Sequence, residues 1–412
     1  MSSIRLKHAS GNAVIIAAPS SNPSSNKTIN LPDEAGVFAT KDSNDNLQNI
    51  TAINGGSIGT KNLIINGAMQ VAARGTSSTA NTYGTVDRFR VAYTGTDEAP
   101  TQAQVDVAAG TTPYTLGFRK AFKVTNGNQT SGAGADDAIT FVYTVEDQDL
   151  ATSGWNHKSS SSNITISFWV KSSVAQNFYF TIQSDNSSQY RYVMETGSLT
   201  ADTWTKITKT NPGNTNLVFN NDNGHGVFII WNLFNGTNRT GTRPLNAWAA
   251  LDNTSRTPDM TSTWYITNDA TFEMTGVQLE VGNTATTFEH LPISQTIALC
   301  QRYFQKLDIP GNSYSAQYSD NGYFYGSPIP FIVEMRALPT TITYSNISGQ
   351  NYWVEVGIAA FSASSTTSLS FNKNFTTFCS LNQARQTGNA TPTRREIYIW
   401  EPRFNLLIDA EL

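Results

Sequence analysis

Charged residues are scarce in this chain. Lys, Arg, Asp and Glu make up 14% of its 412 residues, against about 25% in a typical globular protein. The net charge is −4, and the sequence contains no block of basic residues. Because proteins hold nucleic acids largely by neutralising phosphates with Lys and Arg, we expect no nucleic-acid partner.

Cysteine and long apolar runs are scarce too. Cys300 and Cys379 are the two cysteines of the sequence, too few for a disulfide framework, and we expect both to remain reduced thiols. No apolar run approaches the roughly 20 residues of a membrane-spanning helix, so we expect no membrane insertion. Residues 1–7 are not followed by the apolar stretch of a secretory signal. We therefore expect synthesis in a cytoplasm, from which lysis can release the protein.

What the sequence does contain favours β-structure. Aromatic residues reach 11%, while Ser, Thr, Asn and Gly take the place of charged residues. Ile164, Ile166, Phe168 and Val170 occupy alternate positions and predict a strand with one buried face. Similar stretches recur between clusters of Asn, Asp, Gly and Ser, which is typical of a sandwich or barrel. The length of the chain predicts two or three domains.

The clearest domain boundary follows residues 276–282, where apolar and polar positions alternate as in a strand. Beyond Pro292, Ser294 is a suitable helix N-cap. The residues after it predict a short helix, and its apolar face would consist of Ile297, Leu299, Cys300, Tyr303 and Phe304. A strand thus closes one domain, and a helix opens the next.

Seven short sequence motifs, spread along the chain, share one resemblance. They are NLIINGAMQVA at 62–72, VDRF at 86–89, VQLEVG at 277–282, ATTFE at 285–289, LCQRYF at 299–304, VEMRALP at 333–339 and DAEL at 409–412. These stretches resemble segments of bacteriophage tail-fibre proteins, especially those of marine phages and cyanophages. In that family a jelly-roll sandwich ends in such a strand and is followed by such a helix. The resemblance implies a receptor-binding virion protein.

The β-pattern and the resemblance together predict an all-β chain in three parts. Residues 1–56 would form a small intertwined β-segment for virion attachment and trimerisation. Residues 57–291 would form a jelly-roll β-sandwich. Residues 292–412 would form the short connector helix and a small C-terminal β-sandwich domain, the tip.

The stretch 28–40 resembles a unit near the start of many phage fibre proteins, where the fibre meets the particle. The resemblance implies virion attachment through Leu31, Pro32, Gly36 and Phe38, and an intertwined homotrimer. A segment this short, with few large apolar side chains, cannot easily bury a core alone, and association would cover those side chains. A disordered arm is the alternative.

Sugar binding needs aromatic faces for stacking, together with amides and carboxylates for the hydroxyl groups. Trp155, Tyr190, Trp231 and Trp248 lie near such polar residues in the sequence, and we predict that they contact a glycan. The alternative for each tryptophan is an ordinary position in the core of the sandwich.

No stretch predicts catalysis, a metal site or a cofactor. Residues 55–59 match G-x-S-x-G but lack the preceding strand and following helix of a nucleophile elbow. The four histidines are not spaced as metal ligands. For the acidic residues 146–149 we predict a solvated loop, with a calcium site as the alternative.

These observations predict a phage fibre protein rather than an enzyme. It would reside in the virion, contact other tail or capsid proteins through its N-terminus, and bind a host-surface glycan or protein through its distal β-domains. Two alternatives stay open: a glycan-degrading depolymerase, and a purely structural decoration of the capsid or tail.

Overall fold

A computed structural model describes the backbone of residues 61–186 and 189–310, together with shorter segments on either side. Side chains are described for 61–186, 189–308, 328–343, 375–379 and 406–412. The chain divides into two compact units, Met1–Thr51 and Ala52–Leu412. The boundaries predicted after residues 56 and 291 stay predictions.

In the first unit, the described residues form two short antiparallel hairpins. They are formed by β1 (Ser3–Lys7) with β2 (Ala13–Ala17) and by β3 (Thr40–Lys41) with β4 (Leu47–Gln48). The predicted attachment residues, Leu31, Pro32, Gly36 and Phe38, lie outside the described residues.

The second unit begins with a further hairpin, β5 (Ala52–Ile53) with β6 (Gly56–Ser57). The strands of the sandwich follow: β7 Ser77–Ser78, β8 Phe89–Thr94, β9 Thr101–Asp106, β10 Lys120–Thr125, β11 Ala138–Glu146, β12 Asn163–Ser172, β13 Asn177–Ser184, β14 Tyr190–Ser198, β15 Thr205–Pro212, β16 His225–Asn235, β17 Trp248–Ala250 and β18 Thr271–Val281. The short helices between them are α1 Thr112–Thr115, α2 Asp147–Thr152, a 3-10 turn Thr237–Arg239 and α3 Thr263–Ile266.

These strands form two six-stranded antiparallel sheets. The order is β15-β12-β18-β10-β9-β7 in the first sheet and β17-β14-β13-β16-β11-β8 in the second. Successive strands mostly cross from one sheet to the other, as in a jelly roll. The prediction of an all-β sandwich is confirmed.

The core fills the space between the two sheets. Ile164, Ile166, Phe168 and Val170 are all at most 2% exposed, so the face predicted from their alternation is the buried one. Trp231 of β16 lies between the sheets, with its ring centroid 5.0 Å from that of Phe141 and 5.6 Å from that of Phe168. Aromatic contacts therefore join the two sheets at the centre of the sandwich.

The predicted connector helix is present as α4 (Ile293–Gln301), but its details differ from the prediction. Pro292 occupies the N-cap position, and Ser294 lies inside the first turn. Cys300 is buried, whereas Ile297 and Leu299 are each 39% exposed. The helix ends before Tyr303 and Phe304, so the predicted apolar face was too long and only partly buried.

Beyond α4, the described residues include the strands β19 to β29. They are β19 Phe304–Pro310, β20 Ser315–Tyr318, β21 Tyr323–Gly326, β22 Ile329–Pro330, β23 Thr341–Asn346, β24 Trp353–Gly357, β25 Ala360–Ser364, β26 Phe371–Asn372, β27 Phe378–Ala384, β28 Glu396–Tyr398 and β29 Arg403–Asp409. Strands β19, β29 and β23 form one sheet, and the others form a second. Cys300 and Cys379 are buried free thiols. Within the described part of the chain, no helix is long and apolar enough to cross a membrane.

The acidic stretch at residue 146 is not the solvated loop that we predicted. Glu146 and Asp147 are 1% and 0% exposed. Tyr303 donates its hydroxyl hydrogen to Glu146 Oε2 at 2.6 Å, and Arg302 Nη2 lies 2.8 Å from Glu146 Oε1. The prediction failed because residues from beyond α4 supply a cation and a hydroxyl group that pair with this carboxylate.

Candidate functional site

An open groove of about 590 Å³ lies beside the paired strands β14 and β17 at the edge of the second sheet. Its described lining consists of Asp185, Asn186, Gln189, Ala250, Leu251 and Asn253. Strand pairing places these residues together, because Tyr190 lies opposite Ala250 across the ladder. The lining therefore combines one carboxylate and three amides in the connections next to β14 and β17.

Asp185 is held in place by two neighbours. Gln189 donates from Nε2 to Asp185 Oδ1 at 2.6 Å, and His225 Nδ1 lies 2.9 Å from Asp185 Oδ2. Both carboxylate oxygens thus already have one partner. Each can accept a further hydrogen bond, since a carboxylate offers about four lone-pair sites.

A second network supports the inner side of the groove. Asn186 donates from Nδ2 to Asp147 Oδ1 at 3.0 Å, and Asn220 donates from Nδ2 to Asn186 Oδ1 at 2.5 Å. The backbone N–H of Asn220 also donates to Asp147. Burial raises the pKa of Asp147, and the hydrogen bond from Asn220 N opposes that shift. This network fixes the side chain of Asn186 before any ligand arrives.

Two of the predicted aromatic residues lie at this edge. Tyr190 and Trp248 are half-buried on β14 and β17. Trp248 donates from Nε1 to Pro212 O at 2.7 Å, and its ring centroid lies 5.3 Å from that of Tyr192. Both rings pack against the core and flank the groove without belonging to its described lining.

The other two predicted aromatic residues belong to the core. Trp231 is 1% exposed and Trp155 is 4% exposed. Trp155 donates from Nε1 to Ser162 O at 3.2 Å, and its ring lies against those of His157 and Phe219. Neither tryptophan offers a free ring face in this structure, which corrects our prediction that they contact a glycan.

Sequence reasoning missed two tryptophans on the outer face of the first sheet. Trp169 and Trp204 are half-buried there. Lys171 Nζ lies 5.2 Å from the ring centroid of Trp204 and 3.0 Å from Glu273 Oε2. The alternation in β12 contained the clue, because Trp169 occupies an outward position between buried Phe168 and Val170.

A smaller depression of about 280 Å³ lies near the start of α4, and its lining includes Asn62, Phe288, Glu289 and His290. Several of these side chains hold the fold together. Glu289 Oε2 accepts hydrogen bonds from the backbone N–H groups of Lys61 and Asn62 at 3.0 and 2.9 Å. Asn62 Oδ1 accepts one from Leu279 N at 3.0 Å. The motifs at 62–72, 277–282 and 285–289 are thus linked directly by hydrogen bonds.

Among the described residues, no group of three or more His, Cys, Asp or Glu side chains is placed to hold a metal ion. The groove beside β14 and β17 presents hydrogen-bonding groups instead, which suit a polar, uncharged or partly charged ligand.

No protein-family model matches this chain, and no curated protein matches it. Among solved structures, it is similar to the enzymatically active domain of tailspike protein 4 of bacteriophage CBA120, with 12% identity and a TM-score of 0.29 over 53% of this chain and 21% of that one. A structure described as "CBM4 structure and function" gives 14% identity and a TM-score of 0.27, over 53% of this chain and 99% of that one.

A third similar structure is the CBM22-1–CBM22-2 tandem domain of Xyn10C from Paenibacillus barcinonensis. It gives 9% identity and a TM-score of 0.26, over 87% of this chain and 98% of that one. The present chain spans 21% of the tailspike chain. At such low identities and TM-scores, these likenesses carry no argument about function.

Proposed function

We propose that this chain is a phage fibre protein that binds a host-surface glycan through the groove beside β14 and β17. The observation that carries the proposal is the groove itself, which presents Asp185, Asn186, Gln189 and Asn253 at the edge of the sandwich. The phage-fibre part of the proposal is supported by the sequence motifs that resemble those of phage tail fibres.

The chemistry of the groove suits sugar hydroxyl groups. Carboxylates and amides donate and accept hydrogen bonds in the geometry that hydroxyl groups need. The two hydrogen-bond networks hold Asp185 and Asn186 in place before binding, which reduces the entropy lost when a ligand is fixed. Asn253 is exposed and is available for direct contact.

A glycan array printed with bacterial surface polysaccharides tests the proposal. We expect the full chain to bind a subset of the polysaccharides and Asn253→Ala to lose at least about tenfold in affinity, since one to two hydrogen bonds are removed. Asn283→Ala, at an exposed asparagine after β18, is the matched control and keeps the affinity. Absence of binding to every polysaccharide would overturn the proposal.

The same samples separate binding from hydrolysis. Glycosidases use a pair of carboxyl groups about 5–9.5 Å apart, and Asp185 is the only carboxylate in the described lining of the groove. Both of its oxygens are engaged by Gln189 and His225, which favours binding over bond cleavage. We expect no new reducing ends when bound polysaccharide is incubated with the protein.

Attachment to the particle is the second part of the proposal. We assign it to the N-terminal segment, with Leu31, Pro32, Gly36 and Phe38 in the contact, and place the protein in the virion after release by lysis. Deleting residues 1–56 is expected to abolish incorporation into particles and to leave the sandwich folded by circular dichroism. Incorporation of the truncated chain would contradict this assignment.

We also propose a homotrimer, whose copies would raise the avidity of weak single sites. The exposed apolar residues of α4 support association: Ile293 is 52% exposed, and Ile297 and Leu299 are each 39% exposed. Light scattering of the full chain is expected to give three times the chain mass of 44.9 kDa. A stable monomer at micromolar concentration would rule the trimer out.

A further inference from the structure

A cluster of arginines lies beside the groove. Arg191 follows Tyr190 on β14 and lies opposite Ala249 of β17 across the ladder. Arg243 donates from Nη2 to Ala249 O at 3.1 Å. Arg243 and Arg256 both lie in the connection between β16 and α3. The positive charges of both side chains lower the pKa of Arg191. The fold thus brings three cations together from distant parts of the sequence.

This cluster is short of negative charge. Arg191 is 4% exposed, and it donates from Nε and Nη2, at 3.1 and 2.5 Å, to the neutral amide oxygen of Gln183. Among the described residues, Nε of Arg243 and Nε of Arg256 are buried without a hydrogen-bond partner. Asp252 offsets part of the charge, but it is exposed.

The pKa values of the three arginines are lowered, as expected for buried cations with little counter-charge nearby. Burial, together with the positive charges of Arg256 and Arg243, lowers the pKa of Arg191 to about 9. Burial also lowers the pKa values of Arg243 and Arg256. A buried cation without a counter-charge is costly. The planar fork of a guanidinium is well suited to a carboxylate, sulfate or phosphate group.

The cluster and the groove share their elements. Ala250, Leu251 and Asn253 line the groove. Ala249, which accepts the hydrogen bond from Arg243, directly precedes Ala250, and Asp252 lies between the other two lining residues. We infer that the groove takes an anionic glycan whose sulfate or carboxylate group is bound by Arg243 and Arg256. Both side chains are half-buried, and Arg243 is held next to the groove by its hydrogen bond to Ala249 O, one residue before Ala250 of the lining. Arg191 is only 4% exposed and acts as a positioning residue through its charge.

This inference rests on the proposed glycan binding and deepens it, so the test must separate the two. A glycan array carries neutral, carboxylated and sulfated polysaccharides, probed with the full chain and with Arg243→Gln, Arg256→Gln and Arg119→Gln. Arg119 is an exposed arginine 3.9 Å from the ring centroid of Tyr114 near β10, and it serves as the matched control.

We expect carboxylated or sulfated polysaccharides to dominate the bound set. Arg243→Gln and Arg256→Gln are expected to weaken that binding roughly ten- to a hundredfold, as for loss of a hydrogen bond to a charged group. Arg119→Gln leaves the affinity unchanged. The sulfated and carboxylated spots distinguish the two sources of negative charge.

A stability measurement excludes a merely structural role. Removing one of several repelling cations is expected to leave the melting temperature of the free protein unchanged or raised, even though affinity falls. If the arginines instead pair with carboxylates of another copy, Arg256→Gln lowers the melting temperature and leaves glycan binding intact, which overturns the inference. Equal binding of neutral and anionic polysaccharides overturns it too but leaves the proposed function standing, whereas no binding at all defeats both.

Discussion

Arg88 and Glu411 form an ion pair inside the protein although 323 positions separate them in the sequence. Their side chains are 1% and 3% exposed. Arg88 also donates from Nη2 to Thr144 O at 2.7 Å, and its guanidinium carbon lies 3.5 Å from the ring centroid of Tyr303. Residues 409–412 therefore pack against the first strands of the sandwich, and the VDRF and DAEL stretches contact each other through this ion pair.

Other contacts extend this closure. Arg74 Nη2 lies 2.9 Å from Asp409 Oδ2, and Arg74 Nη1 lies 3.3 Å from Glu411 Oε1. Arg336 donates from Nε to Ala410 O at 2.7 Å. The arginine of the VEMRALP stretch thus contacts the DAEL stretch directly. Motifs that looked separate in the sequence meet in one partly buried charge network.

Glu411→Gln is expected to destabilise the protein strongly. The change leaves Arg88 buried without its carboxylate, and breaking a buried pair costs about 3–5 kcal/mol of unfolding free energy. Denaturant unfolding of the full chain measures the loss. Asp106→Asn is the control because its pair with Lys120 is exposed and is worth less than about 1 kcal/mol. Equal effects of the two changes would show that the buried pair does not stabilise the fold.

Asp87 is expected to make stability depend on pH. Burial raises the pKa of Asp87 to about 7 from the ordinary value of 3.8, although Arg74 opposes the shift. Among the described residues, Asp87 Oδ2 is buried without a hydrogen-bond partner, so it is available to carry the proton. Because the folded-state pKa is raised, the stabilising contribution is complete below about pH 4 and is lost as the pH rises through 7.

The comparison of wild type with Asp87→Asn isolates this group. Between pH 4 and pH 8 we expect wild type to lose up to roughly 4 kcal/mol relative to the variant, which cannot ionise at this position. Thermal unfolding at one-unit pH steps measures the difference. Parallel curves for the two proteins would mean that Asp87 keeps its charge in the folded state.

The sequence alone predicted the features that depend on local alternation. The buried face of β12 is an example, because every second residue of a strand points to the same side. The same alternation places Trp169 on the outward face of β12, whereas the predicted glycan contacts were chosen for nearby polar residues in the sequence. The motifs also indicated the order of sandwich, helix and C-terminal strands correctly.

Features that depend on distant residues could not be predicted. The arginine cluster requires β14 to pair with β17, and nothing near Arg191 in the sequence indicates that Arg243 and Arg256 will approach it. Glu146 looked solvated because its cation, Arg302, lies 156 positions away.

Trp231 provides a test of the assignment to the core. Trp231→Ala is expected to lower the unfolding free energy by about 3–5 kcal/mol, because it leaves a large cavity between the sheets. Trp204→Ala removes the same type of side chain from a half-buried position on the outer face and is expected to cost clearly less. Denaturant unfolding compares the two. A smaller loss for Trp231→Ala would contradict its central place in the core.

The location of glycan binding is the central claim, and two double variants test it most directly. Calorimetric titration is performed with the oligosaccharide that the array identifies, using Gln189→Ala with Asn253→Ala in the groove and Trp169→Ala with Trp204→Ala on the outer face of the first sheet. The groove variant is expected to lose at least about a hundredfold in affinity, and the outer-face variant is expected to bind like wild type. Loss of binding in the outer-face variant, with binding retained in the groove variant, would contradict the account.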